Sequence, residues 1–228
     1  MAAHLTTSAQ EITIPISELA LDADLCIPAG ARSVVLFAHG SGSSRKSVRN
    51  RRVARVLQRA GLATLLLDLL TQDEEAVDRG RAHLRYDIPL LTGRLMEATR
   101  WVQRHLFLGN SAVGYFGDST GAAAALRAAA RSPAAIGAVV SRGGRPDLAA
   151  SFLSEVRAPT LLIVGRRDPW VLDLNRQALA QLPCEKRLEV IPHATHLFEE
   201  PGTLDQVAQL ARNWFLRHLK SNQRERVA

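Results

Sequence analysis

The sequence predicts a doubly wound α/β fold with a mostly parallel sheet and an antiparallel hairpin at its N-terminal end. Three observations predict it. Short, nearly continuous apolar runs recur along the chain, as in strands covered on both faces. Amphipathic segments of helical period alternate with those runs. The opening stretch instead alternates apolar and polar residues with period two.

Taken in order, "EITIPISELALDADLCIP" reads as two strands joined near Ser17 and Glu18, forming an exposed sheet edge. Buried strands follow at 33–40, 62–70, 111–117, 136–141, 160–165 and 186–192, bounded by Gly, Pro or polar residues. Between them, residues 49–60 place Val53, Val56, Leu57 and Ala60 on one stripe. Asp87 reads as the N-cap of a helix to about His105, with Leu91, Leu95, Ala98 and Val102 inward. Residues 120–131 form an alanine-rich helix, 171–181 an amphipathic one and 203–220 a closing one with Val207, Leu210, Trp214 and Leu219. Repeated strand–helix alternation implies right-handed crossovers within one domain over 1–228, ending in a polar tail from about 221.

Length and composition agree with one globular domain. The 228 residues are 46% hydrophobic and 22% charged, enough to bury a core and unlike a disordered chain. The net charge of +7 rests almost entirely on arginine, since lysine occurs only at positions 46, 186 and 220. These basic residues are scattered, with few aromatics among them to stack on bases, so no nucleic-acid partner is expected. Cys26 and Cys184 form neither a disulfide framework nor a metal set, and we expect two reduced thiols. The opening residues have no basic segment followed by a long apolar one, and no run is long enough to span a bilayer. A cytoplasmic chain without a membrane partner is therefore expected.

In an open α/β sheet the reactive groups lie just beyond the carboxyl ends of the strands. Those positions carry His39-Gly-Ser-Gly, Asp68, Asp118-Ser119, Arg142-Gly-Gly-Arg145, Asp168, and the stretch from His193 to His196. Gly117-Asp118-Ser119-Thr120-Gly121 matches G-x-S-x-G between an apolar strand and an alanine-rich helix. That context is what the motif requires: a sharp strand-to-helix turn that presents a serine hydroxyl at a helix start. Ser119 is thus the candidate nucleophile, and helix N-cap is its plainer alternative. A serine hydroxyl needs a base oriented by an acid, in the chain order Ser, Asp or Glu, His. Asp168 supplies the acid, and both His193 and His196 satisfy the order. We favour His196, with Leu197 and Phe198 anchoring its loop.

The backbone N–H groups of Thr120 and Ser41 are the candidate oxyanion donors, one after the nucleophile and one in the glycine-bearing loop after the early strand. His39 is expected to brace that loop. An HxxH pair without a carboxylate or cysteine cluster does not suggest a metal site. A rival from another class is a P-loop-like nucleotide binder, because "GSGSSRKS" approaches G-x-x-x-x-G-K-[ST] and Asp68 ends an apolar strand. Arg45 stands where that motif needs glycine.

Beyond these motifs, "LFAHGSGSSRKSVRN", "ARVLQRAGLATLLLDLLT", "GYFGDSTGAAAAL", "SRGGRPDLA", "PTLLIVGRRDP" and "THLFEEPG" together resemble the dienelactone hydrolase-like family of the α/β-hydrolase superfamily. The resemblance covers nearly the whole chain. It implies the α/β-hydrolase fold, Ser119 as nucleophile, Asp168 as orienting acid and His196 as base, with no cofactor. Dienelactone hydrolases themselves carry a cysteine nucleophile, so the serine here departs from their pattern. Asp118 is also unusual beside the nucleophile, and we read it as a structural cap of the first helical turn. Residues 142–158 leave room for one connecting helix and not for a cap domain. Arg142 and Arg145 are candidate carboxylate binders or surface ion-pair formers, and Trp170 either lines the pocket or packs beneath the loop. The expected function is hydrolysis of small carboxylic esters or lactones through an acyl-enzyme. The alternative is a catalytically weak relative that binds a small molecule or a partner protein.

Overall fold

The computed structural model describes residues 9–106 and 112–219. Eight strands form one sheet: β1 (Gln10–Ile16), β2 (Leu19–Cys26), β3 (Ser33–Ala38), β4 (Ala63–Leu67), β5 (Ala112–Asp118), β6 (Ile136–Arg142), β7 (Thr160–Gly165) and β8 (Lys186–Ile191). Their order across the sheet is β1-β2-β4-β3-β5-β6-β7-β8. The first two pair antiparallel from Ile16↔Leu19 outward, with Ser17 taking a positive φ of 52° in the tight turn. β2 also runs antiparallel to β4, and every later pairing is parallel. The period-two opening therefore is the hairpin at one side of the sheet, with β1 at its edge, and the continuous apolar runs are the buried parallel strands.

The helices are α1 (Val48–Arg59), α2 (Gln72–Asp78), α3 (Ile88–His105), α4 (Thr120–Arg131), α5 (Pro169–Gln181) and α6 (Thr203–His218). They cover both faces of the sheet. Val35 and Phe37 pack with Phe116, Val140 and the inward stripes of α1 and α6, including Val53, Leu57, Val207 and Phe215. Their neighbours Val34 and Leu36 point the other way, into a core built with Tyr115, Leu95, Val102 and Leu126. Fully burying side chains of this size contributes about 2 kcal/mol each, and this two-sided burial fixes the register of the central strands. The alanines of α4 are buried on every side of the helix. Small side chains there let the helix lie close to the sheet behind the turn that begins it.

The sequence reading needs three corrections. It missed α2, although Thr71 and Glu74 form a reciprocal capping box at its start. The connection after β6 is not a regular helix but a 3₁₀ segment, Pro146–Glu155, interrupted at Ala149 with φ −119°. A second 3₁₀ turn, Leu84–Tyr86, precedes α3. Residue 111 and the polar tail lie outside the described residues. Among the described residues no helix is long and apolar enough to cross a membrane.

Candidate active site

The turn between β5 and α4 is dictated by its two glycines. A Cβ on Gly117 would fall 2.4 Å from Ala122 Cα, and one on Gly121 would fall 2.1 Å from the Ala38 carbonyl oxygen. Both obstacles are backbone, which cannot move aside as a side chain could. Between the glycines Ser119 sits at φ 47°, ψ −118°, a strained conformation for a residue with a side chain. The strain is held from both sides: Ser119 N–H donates to the Arg142 carbonyl at 3.3 Å, and Arg145 N–H donates to the Ser119 carbonyl at 3.1 Å. The Ser119 side chain makes no capping hydrogen bond to α4. The plainer alternative, an ordinary N-cap, does not describe this serine.

Asp168 precedes Pro169 at the start of α5 and likewise makes no side-chain cap. Its carboxylate instead meets His196 Nδ1 at 2.6 Å. The loop carrying His196 is fixed by backbone, with Arg167 N–H donating to the Ala194 carbonyl at 2.9 Å and Thr195 N–H donating to the Glu200 carboxylate. Phe198 is buried and anchors this loop, as expected, whereas Leu197 is exposed and does not. His193 has a positive φ of 63° and stays exposed. Of the two histidines, His196 is the one brought to Asp168. The segment from Arg142 to Arg145 holds Ser119 by backbone bonds, and a Cβ on its Gly143 would stand 3.4 Å from the His196 ring.

The loop after β3 approaches the same turn. Its Ser41 N–H donates to Thr120 Oγ1 at 2.9 Å, so this expected oxyanion donor is engaged by a side chain in the resting structure. Thr120 is the first residue of α4, and its own N–H has no intrahelical acceptor. His39 braces the loop as expected: Leu69 N–H donates to Nε2 at 3.0 Å, which leaves Nδ1 to donate to the Gly40 carbonyl at 3.0 Å. Sequence reasoning missed the strongest anchor. Arg45 donates from its backbone N–H to Asp68 Oδ1 at 2.6 Å, and its guanidinium reaches Asp68, Asp24 and Asp22. The residue that spoils the P-loop pattern is therefore the clamp of this loop, and Asp68 is its counter-ion.

Arg142 is buried and bonded to Asp118 at 2.5 Å. Burial pushes its guanidinium down from the ordinary value, against the opposing pull of Asp118. Asp118 is thus the ion-pair partner of Arg142 rather than a helix cap, which corrects the sequence reading. Arg145 makes a bidentate pair with Asp147 at 2.8 and 2.7 Å and lies over the exposed Trp170 ring, 4.5 Å from its centre. Both arginines are engaged with acids of the chain itself.

A cleft of about 600 Å³ opens beside this centre, reaching Ser41 and Thr120 at one end. One wall is the loop from His39 into the first turn of α1, and the other carries Glu75, Arg79 and Arg85. The second wall is shaped by Asp78, which is buried and accepts from the N–H groups of His83, Leu84 and Arg85 and from the Arg85 side chain. Burial alone would raise this carboxyl; those hydrogen bonds outweigh it and bring it down to about 2. Among the described residues no cluster of three or more metal-ligating side chains occurs.

No family model matches the chain. Two proteins from Mycobacterium tuberculosis strains, which bear a provisional phosphoribosyl transferase name, are 54% identical over 210 residues and match 92% of this chain. The chain spans about half, 46%, of their length. Among solved structures, Est1E from Butyrivibrio proteoclasticus shares the fold at 16% identity, with TM-score 0.76 over 91% of this chain and 98% of that one. A dienelactone hydrolase from Anabaena variabilis is 57% identical, with TM-score 0.88 over 93% of this chain and 100% of that one. With that identity across the whole of a solved relative, and the sheet and elbow described above, this chain belongs to the dienelactone hydrolase-like family of the α/β-hydrolase superfamily.

Proposed function

We propose that the chain hydrolyses small carboxylic esters or lactones through an acyl-enzyme on Ser119. The observation that carries this reading is the strained elbow serine, whose side chain does not cap α4, together with a histidine whose Nδ1 is bonded to Asp168 at 2.6 Å. In the proposed reaction Ser119 Oγ attacks the carbonyl carbon while His196 Nε2 takes the hydroxyl proton. The imidazolium then gives that proton to the leaving alkoxide as the C–O bond breaks. Water attacks the acyl carbon with His196 again as base, and the carboxylic acid leaves as Ser119 regains its proton. Asp168 holds the tautomer that leaves Nε2 free to accept and stabilises the imidazolium. The Thr120 N–H faces the developing oxyanion, and Ser41 N–H joins it by exchanging Thr120 Oγ1 for the substrate oxygen. The phosphoribosyl transferase name belongs to chains about twice as long; for the part represented here the constellation supports ester hydrolysis.

A series of 4-nitrophenyl esters of increasing acyl length tests the reading. We expect turnover of short acyl groups, and Asp168→Asn is expected to lower kcat by about 10⁴ through the wrong histidine tautomer. Turnover that His196→Ala leaves unchanged would reject the mechanism.

A further inference from the structure

We propose that the ester accepted by this site carries a phosphate group, held in the cleft between the loop after β3 and the segment that follows α2. The inference rests on the ester-hydrolase reading for the reaction and on the cleft for the ligand. The cleft is continuous with the oxyanion end of the site, since Ser41 and Thr120 both line it. A group seated there belongs to the same molecule that presents its carbonyl to Ser119. The charge of the lining is one-sided: Lys46, Arg49, Arg79 and Arg85 stand against a single carboxylate, Glu75.

Two of those cations are satisfied within the chain, Lys46 by Glu11 and Asp24 and Arg85 by Asp78. The other two are held less fully. Among the described residues the Arg79 side chain has no ion pair or hydrogen bond. Among the described residues Arg49 forms its ion pair with Glu199 alone, at 3.4 Å, and its buried Nε has no acceptor. Arg49 lies in the first turn of α1 and Arg79 caps the end of α2, and both line the cleft. A phosphate offers enough oxygens to engage both guanidiniums at once, with Glu199 already beside Arg49, where a carboxylate has only two. Serine side chains at 43, 44 and 47 line the same wall and suit a tetrahedral acceptor better than an apolar tail. This ligand is distinct from a carboxylate on Arg142 and Arg145, which are already paired with acids.

The test has a binding arm and a kinetic arm. Inorganic phosphate and acetate are titrated calorimetrically, at matched ionic strength, into the wild type, Arg79→Gln and the Arg49→Gln/Arg79→Gln pair. Hydrolysis of 2-acetoxyethyl phosphate is then compared with that of neutral 2-methoxyethyl acetate. We expect phosphate, not acetate, to bind the wild type and binding to be lost in the double variant. The phosphorylated ester should be favoured in kcat/KM by about tenfold or more, and the ratio should collapse towards one in the double variant. Equal use of the two esters together with no phosphate binding would overturn the proposal, as would a preference that survives the double substitution. Phosphate binding that depends on Arg49 and Arg79, with neither ester hydrolysed, would uphold the anion site and reject the ester-hydrolase reading instead.

Discussion

The turn after β5 and the loop after β3 meet at Ser41 and Thr120, yet they are held in unlike ways. The elbow is fixed by close backbone packing: no atom can be added at Gly117 or Gly121, and strained Ser119 donates to the last carbonyl of β6 and accepts from Arg145 just beyond it. The loop after β3 is fixed by charge and by His39, through partners brought in from β2, β4 and the chain just beyond it. A nucleophile must be placed to a fraction of an ångström, and backbone packing achieves that without titratable groups. A loop in which, as proposed, Ser41 N–H exchanges Thr120 for a substrate oxygen is better served by side-chain clamps at its far end. Strain sits where the chemistry is proposed, and exchangeable bonds sit in the loop beside it.

The comparison can be tested from both sides, and the largest effect is expected at the elbow. Ser119→Ala should lower ester turnover by about three orders of magnitude or more while relieving backbone strain only slightly, read as kcat alongside the urea midpoint. Gly121→Ala forces a Cβ to 2.1 Å from the Ala38 carbonyl and should lose about 3 kcal/mol of stability or more by denaturant unfolding.

On the loop side, Arg45→Met leaves Asp68 with little exposure and no counter-ion among the described residues, whereas Asp24 keeps Arg51 and Lys46. It should destabilise by about 3 kcal/mol and lower kcat by about 100-fold through the displaced Ser41 donor. The double variant Arg45→Met/Asp68→Asn should recover part of the stability but not the activity. If Arg45→Met left kcat unchanged, the loop would not depend on this clamp.

The smallest effect is expected at Asp78, and it depends on pH. Its carboxyl lies at about 2 in the folded chain, below the ordinary 3.8. The stabilisation is therefore complete above about pH 4 and is lost as the pH falls through about 2. Thermal melts should show Asp78→Asn below the wild type by a few degrees at neutral pH, with the two curves converging towards pH 2.

The same contrast explains what could be read from the sequence. The elbow is local, five residues between a strand and a helix, and G-x-S-x-G encodes it: Gly117 answers to Ala122 just beyond the turn, and Gly121 to the Ala38 carbonyl at the end of β3. The parallel strands were legible for a similar reason, as each apolar run records burial on both faces. Arg45 was visible only as a defect in a P-loop pattern, because its partners Asp24 and Asp68 lie 21 and 23 residues away and nothing local announces them. The buried pair of Asp118 and Arg142 was missed for the same reason: they meet across β5 and β6, 24 residues apart, and in their own segments Asp118 reads as a helix cap and Arg142 as a carboxylate binder or surface ion-pair former. His196 was favoured over His193 by its place in the loop, and the bond to Asp168 is consistent with that choice. The helix α2 did have a signal, Thr71 followed three residues later by Glu74, hidden by the short length and acidity of the segment.

The central claim is that the elbow presents an activated serine. Intact-mass analysis after treatment with a small fluorophosphonate tests it most directly, on the wild type, Ser119→Ala and His196→Ala. The account predicts a single adduct on the wild type, none on Ser119→Ala and a strongly slowed reaction on His196→Ala. No adduct on a correctly folded wild type, or an adduct that persists in Ser119→Ala, would contradict it.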